Sequence, residues 1–81
     1  MSNEEEIQDN IWAIAIKGDF NTKYKSKLLK LANESGIKFI DEELFKFKEK
    51  ESSAITLLID KLIEQENILH LKDNFELNLI G

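Results

Sequence analysis

The apolar residues near the end of the chain change their spacing from helical to alternating. From Ser52 to Glu66 they recur every three or four residues as one stripe, which predicts an amphipathic helix that Ser52 or Ser53 can cap. After Asn67, apolar and polar residues alternate on both sides of a polar break at 72–74, which predicts a β-hairpin. The stripe consists of Ile55, Leu58, Ile59, Leu62 and Ile63, and the predicted strands contain Leu69, Leu71, Phe75, Leu77 and Leu79.

This ending resembles the third helix and wing of the winged helix-turn-helix family. The resemblance rests on residues 55–69, where a helix is followed by a polar break and by a strand that opens on an aliphatic pair. It implies an α+β fold, mainly helical, with a recognition helix at about 52–66 and a C-terminal β-hairpin wing at about 68–80. It also implies binding to duplex DNA, because such a helix reads base edges in the major groove.

The first part of the chain, residues 2–17, has two interpretations. In the first, residues 2–5 form a capping box, acidic residues occupy the first turn, and Gly18 ends a helix. In the second, residues 11–16 form a β-strand with Trp12, Ile14 and Ile16 on one side. We predict the helix, because its cap, its acids and its terminal glycine agree with one another. Its buried stripe would contain Ile7, Ile11, Ile14 and Ala15.

A second helix is predicted from Asn21 or Thr22, either of which can cap it, to about Glu34. Gly36 would end this helix in the left-handed conformation. Three lysines share the outer face, as a solvated stripe or as an edge that contacts phosphates. The inner face would consist of Tyr24, Leu28, Leu31 and Ala32, and the outer lysines are Lys23, Lys27 and Lys30.

Residues 37–51 also allow two structures. They can form a hairpin, with Ile37 and Phe39 paired with Phe45 and Phe47. The family resemblance instead implies a short strand at 37–40 and a further helix at 41–50. A hairpin here, together with a strand at 11–16, would give the alternative fold, a ferredoxin-like βαββαβ sandwich.

Length and composition limit the class of protein. The 81 residues predict one domain, residues 1–81, and the apolar content of 42% is ordinary for a globular chain. We expect no metal and no cofactor, because the chain has no cysteine and a single histidine, His70. We also expect no enzymatic activity, because no nucleophile and base or paired carboxylates converge in the sequence. An acidic start and the lack of an apolar run of about 20 residues predict a cytoplasmic protein without a membrane segment.

Charge is distributed unevenly around a net value of −5. Residues 17–50 contain nine lysines and six acids, whereas both ends of the chain are acidic. A basic face would therefore come mainly from the middle of the chain. The chain has no arginine, which removes the commonest specific contact to guanine.

Two functions follow as hypotheses. The first is a small transcriptional regulator that binds duplex DNA, as a homodimer. The second is a protein-interaction module, an adaptor or inhibitor, that binds a protein partner through an apolar surface with acidic flanks. The predicted partner interface consists of Trp12, Ile16 and Leu57, and the predicted DNA contacts are Lys23, Lys27, Lys30, Lys46, Lys48, Lys50, Ser53, Thr56, Lys61 and Lys72.

Overall fold

A computed structural model describes residues 10–18 and 21–80 of the chain. About half of these residues are helical, and the rest include a three-stranded antiparallel sheet, so the fold class is α+β. The predicted cap and first turn at 2–9 lie outside the described residues. In chain order the elements are strand β1 (Ile11–Ile16), helix α1 (Asn21–Glu34), strand β2 (Lys46–Lys48), a 3-10 turn (Glu49–Glu51), helix α2 (Ser52–Glu66), a 3-10 segment (Leu69–Asn74) and strand β3 (Phe75–Leu79).

Strand β1 is the centre of the sheet, which has the order β2-β1-β3. The preferred prediction of a helix over residues 11–16 is therefore wrong, and the alternative strand is correct. Trp12 pairs with Phe47 on one side and with Leu79 on the other. Backbone hydrogen bonds to two neighbouring strands outweigh the local capping signals, and a run of isoleucine and alanine suits a strand flanked on both sides.

The core lies between one face of the sheet and the two helices. Ile14 and Ile16 point into it from β1, and Phe47 points into it from β2. Helices α1 and α2 pack against each other on this side, so their predicted apolar stripes are buried as expected. The largest fully buried side chains are Phe45, Phe47, Leu28, Ile55 and Leu62.

Both helices end in the same backbone arrangement, a Schellman motif. At the end of α1, Gly36 has a φ of +77° and the N–H of Ile37 donates to the carbonyl of Ala32 over 2.9 Å, so the predicted end of this helix is confirmed. At the end of α2, Asn67 has a φ of +56° and the N–H of Ile68 donates to the carbonyl of Ile63 over 3.0 Å. The left-handed residue turns the chain back towards the core in each case.

Asn67 provides a stability test of the second motif. Replacing Asn67 with glycine should raise the free energy of unfolding by a few tenths of a kcal/mol up to about 1, because glycine adopts a positive φ without a Cβ clash. Asn67→Ala should lower it by about 1 kcal/mol, since alanine is strained in the left-handed region. Urea unfolding followed by circular dichroism measures both changes, and equal effects from glycine and alanine would contradict the assigned backbone conformation.

Residues 40–48 form a tight turn that leads into β2, not a helix, and the predicted pairing of Ile37 and Phe39 with Phe45 and Phe47 is not observed. On the side of β2 away from β1, an isolated antiparallel bridge joins Asp41 and Lys46. The N–H of Ile40 also donates to the carbonyl of Lys46, over 2.8 Å. Phe45 adopts a φ of +58° in the tight turn while its side chain is 1% exposed. The predicted helix at 41–50 is therefore wrong: within that range the structure has a turn, β2 and the start of a 3-10 turn. Phe45 and Phe47 are both buried in this arrangement, one from the turn and one from β2.

The C-terminal residues do not form the predicted wing hairpin. Leu69–Asn74 is a 3-10 segment, and β3 pairs with β1, about 60 residues earlier in the chain. In β3, Phe75 and Leu77 alternate with polar residues as predicted, but their partner strand is different. A winged helix arrangement is thus not confirmed, since residues 11–16 of its first helix form a strand, and its wing is replaced by a 3-10 segment and a single strand.

Candidate interaction surface

The lysines on the outer face of α1 are partly neutralised. Lys27 forms an ion pair with Glu66 of α2, with 3.0 Å between its Nζ and the carboxylate oxygen. The Nζ of Lys23 lies 5.4 Å from the centre of the Tyr24 ring, in a cation–π contact. Lys30 is exposed without an ion-pair partner among the described residues. This face therefore presents fewer free cations than the sequence pattern predicts.

A second group of lysines lies at β2. Lys46 and Lys48 alternate with the buried Phe47, so they belong to the sheet face away from the helices. Lys48 and Lys50 line a cleft of about 350 Å³ together with Lys38, although the cleft also contains the carboxylate-bearing residue Glu51. None of these lysines has an ion-pair partner in the described part of the chain.

The predicted DNA-contacting residues of α2 and the 3-10 segment lie elsewhere. Ser53, Thr56 and Lys61 are exposed on α2, and Lys72 is exposed on the 3-10 segment. Because α2 packs beside α1 on the core side of the sheet, these residues are separated from Lys46 and Lys48, which lie on the opposite face. The predicted DNA-binding set is therefore split between two sides of the domain.

The predicted partner interface is also divided. Trp12 and Ile16 lie on the core face of β1, where Ile16 is only 9% exposed and Trp12 packs against the core. The predicted helix leaves both side chains outside its buried stripe of Ile7, Ile11, Ile14 and Ala15, but in the observed strand they share one face with Ile14. Leu57, in contrast, lies opposite the buried stripe of α2 and is 69% exposed.

An acidic and apolar surface surrounds Leu57. Asp60 and Glu64 follow it at positions three and seven residues later and share its face of α2. After the turn at Asn67, the chain places Leu69, which is 70% exposed, beside these carboxylates at a hollow of about 430 Å³, whose rim also includes Lys72. We call Leu57, Asp60, Glu64 and Leu69 the acidic–leucine surface. Neither carboxylate forms an ion pair with any residue that the structure describes.

Sequence reasoning missed Leu69 as part of this surface. In the predicted hairpin it shared an inner face with Leu71, whereas the observed 3-10 segment exposes Leu69 and leaves Leu71 half-buried against the core. The available signal in the sequence is Asn67 directly after the apolar stripe, since asparagine is one of the few residues that end a helix in the left-handed conformation. It marks a helix end that turns back sharply, and such an end alters which later residues face outwards.

The described residues contain no group of three or more histidine, aspartate or glutamate side chains placed to hold a metal ion. His70 is exposed on the 3-10 segment. Over the same residues, no helix combines the length and the apolar character needed to cross a bilayer.

The fold defines a small α+β domain with a three-stranded antiparallel sheet covered on one face by two α-helices. Comparison with known proteins adds no family: no family model matches the chain, and neither a curated protein nor a solved structure matches it. Function must therefore be inferred from the surface itself.

Proposed function

We propose that this chain is a protein-interaction module that binds a partner protein through the acidic–leucine surface. The observation that carries this proposal is the pair of leucines, 69% and 70% exposed, on either side of two unpaired carboxylates. Leaving large aliphatic side chains in water forgoes about 1.5–3 kcal/mol of burial energy each, and clustered apolar groups with a polar rim are typical of protein interfaces.

The chemistry of this surface defines the partner it suits. Asp60 and Glu64 can accept hydrogen bonds from a lysine or arginine, and Leu57 and Leu69 can cover the apolar groups beside that cation. The hollow between α2 and the 3-10 segment, about 430 Å³, has room for such a side chain, and Lys72 at its rim forms no ion pair with either carboxylate. A partner that desolvates this contact would strengthen the charge-assisted hydrogen bonds. The expected partner is therefore a protein surface with a basic side chain flanked by apolar ones.

Duplex DNA, the other function predicted from the sequence, receives less support from the geometry. Asp60 and Glu64 occupy the outward face of the helix that would enter the major groove, and they would repel phosphates. The predicted lysines are split between two sides of the domain, and the one on α1 nearest α2, Lys27, is already paired. With a net charge of −5 and no arginine, the chain lacks the counterion-releasing surface that drives DNA binding.

The sheet does not favour binding to single-stranded nucleic acid either. We infer that the domain is a reduced ferredoxin-like sandwich, in which residues 40–41 remain as a fragment of a strand beside β2. The spatial order would then be that fragment, β2, β1 and β3, with both helices on one side. Such a sheet can bind single-stranded nucleic acid through exposed aromatic rings, but the aromatics of β1, β2 and β3 here lie on the core side. The open sheet face lacks a stacking platform.

Leu57→Gln should abolish partner binding without unfolding the domain. The side chain is largely exposed and glutamine has a helix propensity close to that of leucine, so the free energy of unfolding should change by no more than about 0.5 kcal/mol. As a central apolar contact its loss should cost about 2 kcal/mol or more of binding, a factor of about 30. The measurement immobilises the wild-type and variant chains and compares the proteins that each one retains from an extract of the cells that make the protein.

The matched control is Leu44→Gln, the same change at a leucine that is 56% exposed in the turn before β2. It should retain the same proteins as wild type. A titration into fluorescent duplex DNA at low and high salt separates the two functions: we expect no binding at either. Binding to DNA that weakens steeply with salt, or equal retention by the Leu57 and Leu44 variants, would count against the proposal.

A further inference from the structure

Strand β3 forms an edge of the sheet with unpaired backbone groups. The N–H of Lys17 donates to the carbonyl of Asn74 over 2.9 Å, and the N–H of Ile80 donates to the carbonyl of Ile11 over 2.7 Å. Because bonding direction alternates along an antiparallel strand, Glu76 and Asn78 also bond towards β1, and the odd-numbered residues point outwards. The N–H of Phe75 donates to the carbonyl of Lys72. The groups that point outwards without a hydrogen-bond partner among the described residues are therefore the N–H groups of Leu77 and Leu79 and the carbonyls of Phe75, Leu77 and Leu79.

Nothing in the described structure protects this edge. None of these outward groups has a hydrogen-bond partner among the described residues. The five consecutive pairs with β1 contain no bulge, and the strand contains neither proline nor lysine, which are the usual devices that block strand addition. Leu79 and Ile80, at its end, are 56% and 52% exposed. The edge is therefore a template for another strand.

We propose that β3 pairs with β3 of a second copy of this chain, antiparallel and centred on Leu77. In this register the N–H and carbonyl of Leu77 bond to the same groups of Leu77 in the second copy. The N–H of each Leu79 donates to the carbonyl of Phe75 across the two-fold axis. All the free N–H groups of the strand are then satisfied, and two three-stranded sheets become one continuous sheet.

Side-chain complementarity selects this register. It places Glu76 directly opposite Asn78 of the second copy, twice by symmetry, so that each carboxylate, which already accepts a hydrogen bond from the Nζ of Lys17 over 3.0 Å, also faces an amide that can donate to it. On the core side it brings the exposed Leu79 against Phe75. A register centred on Glu76 would oppose two carboxylates, which is destabilising. A register centred on Asn78 would place Glu76 opposite Ile80, where the carboxylate gains no donor.

Disulfide trapping tests the register directly, because the chain has no native cysteine. Glu76 and Asn78 of the second copy would form a non-hydrogen-bonded pair with Cα atoms about 4.5 Å apart, within disulfide range. A mixture of Glu76→Cys and Asn78→Cys chains should therefore form a mixed disulfide dimer under mild oxidation, in at least severalfold excess over either chain alone. Equal yields in all three samples, or no cross-linked dimer in the mixture, would overturn the proposal.

Sedimentation equilibrium provides a second test that needs no cross-link. Asn78→Glu should weaken the dimer about tenfold, since it opposes two pairs of carboxylates, and Asn78→Lys should strengthen it by a similar factor. Asn33→Glu, the same change on the exposed face of α1, should leave it unchanged. Circular dichroism establishes that each variant is folded. A wild-type chain that stays monomeric at millimolar concentration, or weakening by both Asn78 variants, would overturn the proposal.

Discussion

Replacing Phe47 with alanine should lower the free energy of unfolding by about 3–5 kcal/mol. Phe47 is 0% exposed, and it lies opposite Trp12 of the central strand, with its ring centre 6.5 Å from that of Phe39. The substitution removes a whole aromatic ring from the core cluster, to which the sheet and both helices contribute. A domain of this size has a total stability of about 4–12 kcal/mol, so the change would consume a large fraction of it.

Urea unfolding measured by circular dichroism gives this value, with Leu44→Ala as the control. Leu44 is 56% exposed, and its truncation should change the free energy of unfolding by no more than about 0.5 kcal/mol. If Phe47→Ala lowered the free energy of unfolding by less than about 1.5 kcal/mol, this side chain would not be fully enclosed. That result would contradict a core that includes β1 and β2.

The second large effect is expected from proline in the central strand. The N–H of Ala13 bonds towards β3 in the alternating pattern that Lys17 and Ile80 establish, and its pairing partner there is Asn78. Ala13→Pro removes this donor and places a ring between two neighbouring strands. The free energy of unfolding should fall by more than about 3 kcal/mol, enough to unfold most of the protein.

Leu79→Pro is the matched control, because the N–H of Leu79 points outwards from the edge strand. Proline is tolerated at such positions, so this variant should stay folded and lose no more than about 1.5 kcal/mol. It should nevertheless weaken pairing between two β3 strands, since a donor is lost. Comparable unfolding by both proline variants would contradict the assignment of β1 as the centre of the sheet and β3 as its edge.

The helices were predictable from the sequence because their apolar stripes are long and their ends are marked. The stripe of α2 and the glycine that ends α1 depend on residues close to one another in the chain. Residues 11–16 illustrate the limit of a local pattern. The capping signals at 2–5 favour a helix, whereas the strand that forms is stabilised by two neighbours from residues 46–48 and 75–79. Pairing over such distances leaves no trace in a local pattern.

The same reason explains the mixed outcome for the candidate site. Leu57 lies on the exposed face of α2, as the stripe predicted, because exposure on a helix follows from its period alone. The surface position of Leu69 depends on the turn at Asn67 and on a 3-10 segment in place of a hairpin. The sequence predicts one basic face because the lysines lie close together in the chain, but α1 and β2 direct their lysines to different faces of the domain.

A photocrosslinking amino acid at position 57 tests the proposed function most directly. The residue p-benzoylphenylalanine replaces Leu57 in one chain and Asn33, an exposed residue of α1, in another. Each chain is irradiated in an extract of the cells that make the protein. The proposal predicts one discrete protein adduct from position 57 that excess wild-type chain prevents, and none from position 33. The same adducts from both positions, or no adduct from position 57, would contradict a partner site at the acidic–leucine surface.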